Sequence, residues 1–322
     1  MDTVRVGFVG AGGLANTVHY PSLAAMPDVA IVGIAELDNE LLQTTADAYD
    51  VAGRYDDYRE LVAQEKPDAV YVIMPPHHMH DIVVDMLELD VHVFVEKPPA
   101  VTTYQAEALA WYAGQHNRLT MVGFNRRYNQ MLRRCKAAIT ERGPLHQCLV
   151  GFHKHEASPE KYGYARGALT HLTSDIIHAV DALRWMAGGN VVSVAADNRA
   201  VDRPYVNNHN AIITFDTGCV AVLTASRRSG RRDHYFEMHG QGVSVFADDQ
   251  WKAEIYRDGG PEPEVVDAAE AGGGSDGIYR FGYFAENRHF IDAVKAGRQT
   301  ESSFTDAVKT MDLVDRIMQS QI

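Results

Sequence analysis

The stretch that most limits what this chain can become is VRVGFVGAGGLA, residues 4–15. A short apolar run ends in Gly10-Ala11-Gly12-Gly13-Leu14-Ala15, a G-x-G-x-x-A. Strand, glycine turn and helix start, in that order, form the mould of a dinucleotide site. Gly10 permits the tight turn. Gly12 lets backbone approach a pyrophosphate, and Gly13 and Leu14 open the helix whose free N–H groups would face it. Ala15 still allows close packing of helix on strand. A second strand, Val29–Ala35, ends at Glu36, 24 positions after Gly12. An acid at roughly 20 positions accepts hydrogen bonds from ribose hydroxyls. No Lys or Arg lies between 37 and 53 to hold a 2′-phosphate. NAD is therefore expected over NADP.

Further apolar runs alternate with helical patterns. Strands are expected at Ala69–Met74, Val91–Val95 and Leu119–Phe124, and helices at 13–25, 39–48, 78–89 and 102–116. Strands apolar throughout are buried on both faces, and β–α alternation implies a parallel, doubly wound sheet. Past residue 125 the pattern changes. A basic helix ends at Gly143, and a strand follows at 145–154. After residue 190, short strands alternate polar with apolar, and Asp216-Thr217-Gly218 reads as a hairpin turn. Residues 257–277, rich in Gly, Pro and acids, read as a loop, and helices 280–296 and 303–320 close the chain. The expected fold class is α/β: a Rossmann domain over 1–123, then an α+β domain over 124–322 with a large, mainly antiparallel open sheet.

The net charge is −13, which argues against nucleic acid or anionic membrane as main partner. Three widely spaced cysteines suggest neither a disulfide framework nor zinc. No metal is expected: the cluster His77-His78-Met79-His80 lacks further ligands at suitable spacing. With no apolar run of membrane-spanning length and no leader pattern, a cytoplasmic protein is expected.

Three strand ends narrow the reading: MPPHHMH (74–80), VFVEKPPA (93–100) and GFNRRYN (123–129). Together with the glycine motif they resemble the Gfo/Idh/MocA oxidoreductases, the family of glucose–fructose oxidoreductase and inositol dehydrogenases, over nearly the whole chain. The resemblance implies a dehydrogenase acting on a secondary hydroxyl of a sugar, sugar derivative or inositol. It implies that Lys97 is the active-site lysine, that Pro75 and His80 lie near the cofactor riboses, and that the Lys97–Pro98 bond is cis. Glu96 and Asn125, also at strand ends, join the cofactor-binding set. It further implies a homodimer or homotetramer.

Family members carry Asp-x-x-x-His-x-x-Asp opening the second domain. Here THLTSDIIHAVDALRW (170–185) retains His178 and Asp181, but Ser174 stands where the acid belongs and Asp175 follows one place later. On a regular helix, at about 100° per residue, His171, Ser174, Asp175 and His178 share one stripe opposite an apolar face. His178 is expected as general base and Lys97 as stabiliser of the alkoxide-like oxygen. Asp175 is the catalytic partner proposed for His178, with Ser174 as the alternative. Asp181 is expected to be structural. Arg126, His153, His155 and Tyr162 are expected at the substrate, with Tyr164 and Arg166 nearby. Four arginines in SRRSGRRD (226–233) read as a hairpin, either solvated or a subunit contact, or else as a reader of an acidic substrate group. Two other functions stay open: a glycosidase or lyase that oxidises its sugar transiently, and a non-catalytic NAD-binding regulator.

Overall fold

In the computed structural model, residues 3–156 and 169–320 are described. The chain divides into two compact units. The first comprises Met1–Phe124 and Tyr283–Val308, the second Asn125–Gly282 and Lys309–Ile322. Each unit draws on two stretches of chain, because Tyr283–Val308 belongs to the first unit.

The first unit alternates β1 (Val4–Val9), α1 (Tyr20–Ala24), β2 (Val29–Ala35), α2 (Asn39–Ala48), β3 (Gly53–Tyr55), α3 (Tyr58–Glu65), β4 (Ala69–Val72), α4 (Pro76–Glu88), β5 (His92–Glu96), α5 (Thr103–Gln115) and β6 (Thr120–Gly123). All pair in parallel, in the order β3-β2-β1-β4-β5-β6. The strand order reverses beside β1, at the crevice where such sheets bind ligands. β1, β4, β5 and β6 are almost wholly buried, as continuous apolar runs require. α5 opens on a capping box between Thr102 and Gln105, which satisfies two N–H groups a helix start leaves open.

The second unit holds α6 (Gln130–Thr140), β7 (Gln147–His155), α7 (Ile177–Ala187), β8 (Val191–Arg199), β9 (Asn208–Phe215), β10 (Val220–Ser226), β11 (Arg228–Gly240), β12 (Val243–Asp248), β13 (Lys252–Arg257), β14 (Glu264–Asp267), α8 (Ala268–Gly272) and α9 (Gly277–Arg280). Its eight-stranded sheet runs β14-β13-β12-β11-β7-β10-β9-β8, antiparallel except where β7 and β10 pair. The stretch read as loop thus contains β14 and α8, with Asp267 capping α8. The expected turn joins β9 to β10, with Gly218 at φ +83°.

Helices α10 (Tyr283–Ala296) and α11 (Phe304–Gln319) follow. α10 packs on the first unit's sheet. Phe290 lies 5.6 Å from the Tyr71 ring and 5.7 Å from Phe94, and Arg288 and Lys295 both donate to Asp28 at 2.7 Å. The Ser302 and Thr300 hydroxyls donate to backbone carbonyls of β6. Among the described residues, no helix is long and apolar enough to cross a membrane.

Candidate active site

The glycine loop has the expected form. Gly10 adopts φ +110°, and a Cβ there would stand 2.2 Å from the Ile73 carbonyl oxygen, so only glycine fits. Where a Cβ would project from Gly12 or Gly13, nothing lies within 4 Å. That open side is what a pyrophosphate needs. Glu36 Oε2 accepts the Ala11 N–H (2.8 Å) and Oε1 accepts the Asp38 N–H (3.0 Å), so its carboxylate sits against the loop. Leu14 is exposed beside it. The helix read over 13–25 is not uniform: Ala15–His19 form a π-helical turn before α1. That wider turn carries His19 into full burial.

His19 completes a network the sequence did not disclose. Its Nε2 lies 3.0 Å from Oε1 of Glu96, and its Nδ1 lies 3.2 Å from Oδ1 of Asn287. The other Glu96 oxygen accepts the N–H of Lys97 at 3.0 Å. Glu96 is 6% exposed, so the carboxylate braces the backbone at the lysine rather than facing solvent. Lys97 itself is half-buried, and the Lys97–Pro98 peptide is cis. Pro75 caps α4, and His80 Nδ1 lies 2.9 Å from Asp81 Oδ1. Gly10, Pro75 and Lys97 thus stand at the carboxyl edge of neighbouring strands β1, β4 and β5. A spacing of about 4.8 Å per strand sets the loop and the lysine about 10 Å apart along the sheet.

In the second unit the polar helix is not solvated. His171, Thr173, Ser174 and His178 are all at least nine-tenths buried. Leu172–Ile176 form a π-helical turn and the regular helix begins at Ile177, so the 100° spacing does not apply where the polar residues cluster. Asp175 accepts from Lys154 Nζ at 2.8 Å and from Arg227 at 2.5 Å. Burial pushes Lys154 down to about 8, against the pull of Asp175. His171 Nε2 lies 2.7 Å from Glu156. Asp181 accepts from Arg127, at 2.6 and 2.7 Å to its two oxygens. Asn125, read as a cofactor ligand, donates to the Phe281 carbonyl at 2.8 Å. Arg126 donates to Asn125 Oδ1 at 2.9 Å.

Burial pushes His171, His209 and His234 each down to about 4. An unfolded histidine titrates near 6.5. Between those values the unfolded chain takes up protons that the fold refuses, so stability present above about pH 6.5 is lost as pH falls toward about 4. The urea midpoint of the second unit is expected to drop between about pH 7 and about pH 5, where ordinary carboxylates stay charged. A flat or rising profile would refute this.

Two sequence models match: "Oxidoreductase family, NAD-binding Rossmann fold" over residues 4–124, and "GFO/IDH/MocA C-terminal domain" over residues 145–246. The chain belongs to the GFO/IDH/MocA oxidoreductase family. It is similar to an inositol 2-dehydrogenase of Rhizobium meliloti, 26% identical, covering 99% of this chain and 97% of that one. Its fold resembles a dehydrogenase from Chromobacterium violaceum (TM-score 0.89, 21% identity, 99% and 95% coverage). It also resembles a levoglucosan dehydrogenase in complex with NADH and levoglucosan (TM-score 0.87, 21% identity, 99% and 97% coverage).

In this GFO/IDH/MocA chain the two histidines expected at the substrate share one face of β7. His153 and His155 do not face the helical side of the sheet. Alternation along β7 places Phe152 and Lys154 there, with Lys154 reaching Asp175. The two histidines take the other face, where the His153 ring lies 6.0 Å from Tyr235. The sequence singled out the flanking histidines and passed over the lysine between them. Tyr162, Tyr164 and Arg166 lie outside the described residues.

Proposed function

We propose that this chain is an NAD-dependent dehydrogenase that oxidises a secondary hydroxyl of a sugar, sugar derivative or cyclitol. The observation that carries it is Lys97, held by the buried His19–Glu96 pair at the carboxyl edge of β5, two strands from the open glycine loop. The names of the related enzymes support the substrate class. Gly10, Gly12, Gly13, Leu14 and Glu36 would hold the cofactor, which when bound accepts the hydride. The Lys97 ammonium steadies the negative charge that grows on the substrate oxygen. His178 takes the hydroxyl proton as general base. The test is absorbance at 340 nm across sugars, cyclitols and glycosides. Stoichiometric NADH supports the reading. Sugar release without NADH would replace it with transient oxidation, and neither outcome would leave only a binding role.

NAD is expected to exceed NADP in kcat/KM by more than about a hundredfold, since a 2′-phosphate would meet Glu36 as a like charge. Arg54, the first cation after Glu36, is engaged by Asp47 at 2.6 Å. Equal use of the two cofactors would refute the role of Glu36. Assembly as a homodimer or homotetramer is supported by the sheet's uncovered face. Ile212, Phe246 and Val265 are exposed there in one cross-strand row. Light scattering reads it out.

A further inference from the structure

The arginine-rich stretch at 226–233 is not a hairpin between neighbouring strands. β10 ends at Ser226 and β11 begins at Arg228, yet the two lie on opposite sides of β7. The chain therefore crosses the carboxyl end of β7 at Arg227. The Arg227 N–H donates to the Asn207 carbonyl (3.0 Å), and its own carbonyl accepts the Glu156 N–H (2.9 Å). That crossing fixes the Arg227 side chain beside Lys154.

Arg227 and Lys154 share a single carboxylate, Asp175. A second group repeats the imbalance. Arg232 donates to Asp249 at 2.5 Å, and Arg126 stands 3.7 Å from the same acid. Phe152 links the groups: Lys154 Nζ is 4.9 Å and the Arg126 guanidinium carbon 6.0 Å from its ring centre. Among the described residues these four cations thus touch two carboxylates, and the neighbouring buried acid Glu156 has a cation of its own in Arg203 at 3.7 Å, in a chain whose net charge is −13. Three of the four are sheltered, with side chains 25% (Lys154), 12% (Arg227) and 11% (Arg126) exposed. Surplus like charge away from water is costly unless an anion is supplied. Arg227 Nε is buried with no hydrogen-bond partner among the described residues. The sequence of residues 157–168 holds one acid, Glu160, against Lys161 and Arg166, so its composition does not cancel the surplus.

We propose that this cluster receives an acidic group of the substrate, a carboxylate or a phosphate ester, and that the enzyme acts on sugar acids or sugar phosphates in preference to neutral sugars. Guanidinium and ammonium together suit such a group: the first is a planar fork, the second a point charge. The inference rests on the dehydrogenase reading above.

The test is NADH formation on matched sets: glucose, glucuronate and glucose 6-phosphate, then galactose, galacturonate and galactose 6-phosphate. One acidic member is expected to exceed its neutral partner in kcat/KM by about thirtyfold, the scale of one or two charged hydrogen bonds. Which acid is favoured separates carboxylate from phosphate. Arg227→Gln should shrink that preference about tenfold. Should the variant fold poorly, added salt on the unaltered enzyme should raise KM for the acid and not for the neutral sugar. Equal or better turnover of neutral sugars overturns the acidic site and leaves the dehydrogenase standing. If no member yields NADH, the wider panel of sugars, cyclitols and glycosides decides the dehydrogenase reading. Calorimetric titration of the NAD-loaded protein with glucuronate, glucose 6-phosphate and glucose then decides the site, and no preference for either acid overturns it.

Discussion

Lys97→Met is expected to lower kcat by about a thousandfold or more, the scale of removing a positioned charge and proton-handling group together. NAD affinity should stay within about twofold. Methionine keeps the apolar stem that a half-buried lysine packs with, so the change reads the ammonium rather than a cavity. The local backbone should persist, because Glu96 grips the N–H of residue 97 and not its side chain. Stopped assays at saturating NAD give the first quantity, and quenching of protein fluorescence by added NAD gives the second. Turnover close to that of the unaltered enzyme would remove Lys97 from the chemistry. Loss of NAD binding in step with turnover would make it a cofactor ligand instead.

Asp181→Leu is expected to cost the second unit about 3–5 kcal/mol, the usual penalty for stripping one partner from a buried ion pair. Arg127 and Asp181 are 3% and 1% exposed. Two guanidinium nitrogens of Arg127 donate to that carboxylate, which also accepts the Thr310 hydroxyl at 2.8 Å. Thr310 in turn accepts from Arg184 at 3.0 Å, so the acid anchors α7 to α6's approach and to α11 at once. Urea unfolding followed by circular dichroism measures the loss. Adding Arg127→Met to Asp181→Leu should recover much of it, because the double change removes both charges. An unchanged midpoint in the single variant would show that the pair contributes little.

Much of this architecture was readable in advance because its signals are local. β1, β2, β4, β5 and β6 are built on apolar runs, and such runs have few other uses. Gly10 and Glu36 stand at strand ends, where spacing alone suggests a cofactor. What escaped has no local signal. β3 has three residues, too few to show a period, and α3 behind it went unread as well. The two π-helical turns change the winding by one residue, invisible to any argument that assumes 100° throughout. His19 met Glu96 and Asn287 only through tertiary packing across 77 and 268 positions. Lys154 lies between two histidines whose ring nitrogens are the stronger local signal, yet alternation gives the helical face to the lysine.

The first unit is assembled from two separate stretches of chain, and this sets an order on its biosynthesis. When residue 124 leaves the ribosome, all six strands of the parallel sheet exist, but α10 does not. Tyr71 and Phe94 then lack Phe290, and Asp28 lacks both of its cations. The whole of Asn125–Gly282 must be translated before those partners arrive. The nascent NAD-binding half therefore waits with an aromatic patch open to water, a state that holding chaperones recognise and that aggregation exploits.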